Sequence, residues 1–173
     1  AGPAGLEAAR ICAERGHNVT VFEATNSAGG QINLICRSNK RKDMIGIVDW
    51  RLEICKKLNV KINYNTLATA ENILSEKPNI VIIATGGIPN TKILEEGSDL
   101  VSSTWDIIAG NVNIEDDVIL YDDSGSFPGL QAAEVIANKG SKLEIISPER
   151  FFSPEVGGMN FVPYARNFIE KEV

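Results

Sequence analysis

One block of sequence occurs twice, and the two copies fix most of what this chain can fold into. Gly5-Leu6-Glu7-Ala8-Ala9 returns as Gly129-Leu130-Gln131-Ala132-Ala133. Gly16 returns as Gly140, and the run from Val19 to Phe22 returns from Leu143 to Ile146, in one register without a gap. Each copy reads as a glycine turn, an apolar-faced helix, a helix-ending glycine and a strand. That layout calls for the α/β class, with two Rossmann-like units built on parallel strands.

The first copy carries the better chemistry. The chain opens Ala1-Gly2-Pro3-Ala4-Gly5. In the fingerprint G-x-G-x-x-G, the second glycine lets the backbone approach a pyrophosphate, and the third lets helix and sheet pack closely. Gly2 and Gly5 fit these two roles. The first glycine and the strand before it are missing, as expected of a piece of a longer protein. The anion is expected on the free N–H groups of the helix start, where the dipole favours negative charge. Leu6, Ala9, Ile11 and Ala13 give that helix its apolar surface, and Gly16 ends it. Residues 18–23 then alternate as a strand and finish on Glu23, followed by Ala24. Glu23 stands about 20 residues past the turn, the spacing of a carboxylate that binds ribose hydroxyls.

The second copy is altered where the chemistry would sit. Ser124 and Ser126 hold the first two glycine positions, and only Gly129 survives. Ser147 takes the place of the ribose acid. A side chain at the second position hinders close backbone approach. Asp122 and Asp123 bring charge that repels a pyrophosphate unless neutralised. The second unit therefore reads as a retained fold with weak or lost nucleotide binding. Ser147 and Arg150 keep NADPH open, through contacts to a 2′-phosphate.

Between the copies, Ala28-Gly29-Gly30-Gln31-Ile32-Asn33 forms another glycine loop. A helix is expected over residues 44–58, with Ile45, Val48, Leu52 and Cys55 on one face. Residues 60–64 alternate as a strand, and residues 73–76 end a short helix before Pro78. Ile80-Val81-Ile82-Ile83-Ala84 is a continuous apolar run, the pattern of a central parallel strand buried on both faces. It ends in Thr85-Gly86-Gly87, and strand ends of open α/β sheets are where ligands bind. Residues 88–115 connect, with Trp105, Ile107 and Ile108 anchoring a short helix, and a new strand begins at Val118. The expected division is a first domain over 1–107 and a second over 108–173, incomplete at its end.

Composition narrows the function classes. Of 173 residues 43% are apolar, enough for a real core, and the net charge is −6. That charge disfavours nucleic acid and anionic membranes as partners. The basic run Arg37, Lys40, Arg41 and Lys42 reads as a solvated loop. No stretch approaches the roughly 20 apolar residues of a membrane span. Cys12, Cys36 and Cys55 form no C-x-x-C pair, so they read as idle thiols of a reducing, cytoplasmic compartment. His17 is the only histidine. Neither a triad nor a His-rich metal site can be assembled, so no catalytic residue and no metal ligand is expected in this segment.

With both units and the loop Gly29-Gly30-Gln31-Ile32-Asn33 in view, the chain resembles the C-terminal flavin and nicotinamide region of the multidomain NADH:flavin oxidoreductases. That family includes 2,4-dienoyl-CoA reductase, trimethylamine dehydrogenase, histamine dehydrogenase and dimethylglycine demethylase-like enzymes. The resemblance covers essentially the whole chain. It implies FAD or ADP held by Gly2, Pro3, Ala4, Gly5, Glu23, Ala24, Gly29, Gly30, Gln31, Ala84, Thr85 and Gly86. It further implies an N-terminal barrel with FMN and a 4Fe-4S cluster elsewhere in a homo-oligomeric full-length protein. In the family's reductases the second unit binds NAD(P)H. In its amine dehydrogenases the second fingerprint is lost, and electrons leave to an electron-transfer flavoprotein. The Asp122-Asp123-Ser124 turn sides with the amine branch. Three functions are thus set against one another: an electron-relaying dinucleotide module of an amine dehydrogenase, an NAD(P)H-dependent enoyl or dienoyl reductase module, and a nucleotide-free docking domain.

Overall fold

Pro3 starts the first helix because its fixed φ suits the first helical position and its missing N–H costs nothing there. The helix, α1 (Pro3–Glu14), begins after Gly2 in extended backbone. It stops where Gly16 adopts φ +85°. Gly16 N–H donates to the Ala13 carbonyl and His17 N–H to the Cys12 carbonyl, the paired bonds of a Schellman ending. The elements that follow are β1 (Thr20–Phe22), α2 (Ile32–Ile35), α3 (Gly46–Lys57), β2 (Lys61–Asn63) and α4 (Ala70–Ser75). After them come α5 (Thr104–Ala109), β3 (Asp117–Tyr121), α6 (Phe127–Lys139), β4 (Lys142–Ile146) and α7 (Gly158–Glu170). The computed structural model describes residues 1–92 and 94–173.

The chain forms two compact units, Ala1–Gly87 and Ile88–Val173. The expected division, 1–107 and 108–173, and these two units differ over residues 88–107. The short helix α5 packs on α6, which draws that stretch into the second unit.

In the first unit β1 and β2 pair in parallel, with Val21 opposite Ile62. Helices α1 and α3 pack together over a core of Leu6, Ala9, Ile32, Val48 and Cys55. Ile45 and Leu52 join its margin, so the expected face of α3 is the face that packs. Charge suits that helix: Asp49 lies in its first turn and Lys56 and Lys57 in its last. Outside the core, Arg10 spans Glu7 and Glu14 and lies over the Trp50 ring.

The second unit repeats this plan with its leading strand present. β3 and β4 pair in parallel from Asp117–Lys142 to Tyr121–Ile146. Helix α6 joins them, and Leu130, Ala132, Ala133, Ile136 and Ala137 are almost wholly enclosed. The alanines allow α6 to be approached by β3, β4, α5 and α7 together. The bounds of α1 and α6 confirm the repeat, since both helices begin at equivalent positions, Pro3 and Phe127.

One expectation fails. Residues 80–84 are not a buried central strand. Ile80, Val81, Ile82 and Ile83 are 79%, 50%, 58% and 82% exposed, and no pairing is assigned to them. A strand is defined by its ladder. Among the described residues only β1 with β2 and β3 with β4 make one.

Candidate functional site

The first turn gathers residues from four separate stretches of the first unit. At its base is the start of α1. Leu6 N–H donates to the Gly2 carbonyl at 2.9 Å, the first helical bond. Pro3 has no N–H, and the N–H groups of Ala4 and Gly5 precede that bond, so no intrahelical carbonyl receives them. Gly2 offers no side chain to cap them. The result is a set of backbone donors at the positive end of a helix dipole.

Around this helix start stand the other predicted residues. Gly29 N–H donates to the Ala1 carbonyl at 2.9 Å, which ties the second glycine loop to the first. Gly29 has φ +124°, and a side chain there would run into the Asn33 carboxamide. That carboxamide is held by donating to the Ala28 carbonyl at 3.0 Å. Gly30 has φ +52°, and a Cβ on it would stand 3.2 Å from the Gly2 Cα. The two glycine loops therefore meet backbone to backbone, and a side chain at Gly30 would fill the space between them. Gly5 faces Ala84, at ordinary van der Waals distance for an added Cβ. Gly86, at φ +71°, faces the Gln31 amide nitrogen. Ala4, Ala24 and Thr85 are exposed at the rim.

Glu23 completes the group from the end of β1. Its Oε2 accepts from the Ala1 amino group at 2.6 Å. Its Oε1 accepts from the Thr25 N–H at 2.9 Å and the Thr25 hydroxyl at 2.8 Å. A carboxylate offers about four lone-pair sites, so one remains on Oε2 for a further hydroxyl. Burial raises the Glu23 pKa, and the bonds from the Thr25 N–H and hydroxyl work against it.

These features fit the adenosine-diphosphate half of a dinucleotide: donors for phosphate, a bare glycine approach and an ionised carboxylate for a diol. Other chemistry is not assembled here. His17 lies exposed beyond the opposite end of α1. Burial raises the Cys36 and Cys55 thiols, which keeps them protonated and unreactive. Among the described residues no group of three His, Cys, Asp or Glu side chains could hold a metal ion. No helix among them is long and apolar enough to cross a membrane.

At the equivalent turn of the second unit, Asp122 and Asp123 part company. Asp123 is exposed, whereas Asp122 turns inward and is only 3% exposed. The loop from Ser153 to Glu155 lies over Gly125, a contact that sequence reasoning missed. Its one signal in the sequence is Pro154.

The fold and the first turn define a Rossmann-like nucleotide-binding protein, and residues 1–56 match the family model of the NAD(P)-binding Rossmann-like domain. Two curated relatives extend the likeness over nearly the whole chain. A probable N-methylproline demethylase of Rhizobium meliloti (strain 1021) is 52% identical over 95% of this chain and 24% of its own length. An N,N-dimethylglycine/sarcosine dehydrogenase of Chromohalobacter salexigens is 41% identical over 99% of this chain and 26% of its own. Among solved structures, a 2-naphthoyl-CoA reductase complex is similar at TM-score 0.88 and 32% identity, over 99% of this chain and 26% of that one. The chain belongs to the multidomain NADH:flavin oxidoreductase family, and it spans about a quarter of the length of the relatives it matches.

Proposed function

We propose that this chain is the dinucleotide-binding module of a flavin-dependent oxidoreductase acting on small N-methylated amines. The first turn holds FAD or ADP. The Ala4 and Gly5 N–H groups receive the pyrophosphate, and Glu23 receives the ribose hydroxyls. Gly29, Gly30, Gln31, Ala84 and Gly86 shape the wall. The single observation that carries this reading is the convergence of α1's free donors, the Gly2–Gly30 approach and the Glu23 carboxylate at one turn. The two amine-oxidising relatives supply the substrate class.

A bound flavin supplies the redox chemistry, and this module relays electrons rather than touching the amine. The residues here bind, orient and neutralise; none acts as acid, base or nucleophile. The partners under this reading are FMN and 4Fe-4S domains of the same polypeptide and an electron-transfer flavoprotein as acceptor. The full-length protein is a cytoplasmic homo-oligomer. A second reading, an NAD(P)H-dependent reductase module, draws on the likeness to the naphthoyl-CoA reductase.

Cofactor extraction from the purified full-length protein tests the first reading. Finding no adenine nucleotide beyond any FMN would sink it and favour a nucleotide-free docking domain. Glu23→Ala should weaken ADP binding by about 1–2 kcal/mol, the scale of a charge-assisted hydrogen bond. Stopped-flow mixing with NADPH separates the second reading, since rapid flavin bleaching belongs to a working nicotinamide site.

A further inference from the structure

The turn before α6 already contains an anion. Asp122 directly follows β3, and its N–H donates to the Ile146 carbonyl at 2.9 Å, so its backbone is fixed by the sheet. Its Oδ1 accepts from the Ser124 N–H at 3.2 Å, the Ser124 hydroxyl at 3.1 Å and the Gly125 N–H at 3.1 Å. Its Oδ2 is buried without a hydrogen-bond partner. The carboxylate lies against Gly129: a Cβ there would stand 2.6 Å from Cγ. The other side of the turn is also covered. A Cβ on Gly125 would stand 2.7 Å from the Pro154 ring, and Glu155 N–H donates to the Gly125 carbonyl at 3.0 Å.

Glycine turns bind dinucleotide phosphates through backbone N–H groups of this kind. Here two of those donors are spent on a side chain of the same turn. A second anion would meet a buried negative charge and a proline ring. We propose that Asp122 is a built-in substitute for a dinucleotide phosphate, and that together with Pro154 it shuts the second unit to nicotinamide dinucleotides. This deepens the function proposed above, in which only the first turn holds a dinucleotide.

The test is fluorescence titration of the full-length protein with NADH and NADPH. It compares wild type with the double variant Asp122→Ala/Pro154→Gly, each also in a Glu23→Ala background that weakens the first turn. The double variant should bind roughly ten-fold or more tightly than wild type, the weight of one charge-assisted hydrogen bond. That gain should survive Glu23→Ala. A folded double variant with no gain overturns the proposal. If the double variant fails to fold, wild-type crystals grown with excess NADPH decide. Phosphate bonded to the Ser124 or Gly125 N–H overturns the proposal; Asp122 still bonded to both, with no nucleotide at that turn, supports it. Cofactor extraction showing no adenine nucleotide would remove the first-turn reading without altering any of these outcomes.

Discussion

Glu23 and Asp122 are both acids just past a strand, and their neighbours give them opposite uses. Glu23 is 13% exposed, with a lone-pair site to spare; Asp122 is turned under its own turn. In the full-length protein Glu23→Gln should weaken ADP binding, read by calorimetry, because a neutral amide accepts a ribose hydroxyl less strongly than a carboxylate; unchanged affinity would contradict the assignment. The carboxylate at Glu23 was legible from spacing alone. The role of Asp122 was not, because adjacent residues in extended chain face opposite ways, and sequence cannot say which of two neighbouring acids turns inward.

Among the elements, α5 shows how little a short helix can do alone. Six residues are too few to be stable in water without help. Ser103 and Asp106 close a capping box: the Ser103 hydroxyl accepts from Asp106 N–H at 3.2 Å, and the Ser103 N–H donates to Asp106 Oδ2 at 3.3 Å. Ile108 is buried, and Gly110 ends the helix at φ +71°. Ser103→Ala should therefore cost about 1 kcal/mol, measured as a lowered melting midpoint with the β3–β4 sheet intact. Helices α1, α3 and α6 were legible because their periodic apolar positions and end signals are local. The run over residues 80–84 shows the limit. Its β-branched residues record a preference for extended backbone, but pairing depends on a neighbouring strand that no local pattern supplies. The meeting of Gly86 with Gln31 was hidden for the same reason, being a contact between distant stretches.

For the molecule as a whole, four consecutive exposed apolar side chains in a segment without a ladder partner invite association. The 173-residue chain by itself should self-associate with rising concentration in analytical ultracentrifugation, and Ile83→Lys should shift it toward monomer. A wild-type chain monomeric at all concentrations would contradict this. The pairing of Asp122 with Gly129 has another consequence, for descent. While Asp122 stays, Gly129 can accept no side chain without displacing the carboxylate. If Asp122 alone is lost, the Ser124 and Gly125 N–H groups lose their acceptor. A reverse step at Asp122 alone therefore strands the buried Gly125 N–H, so descent back to an open turn runs uphill at its first change.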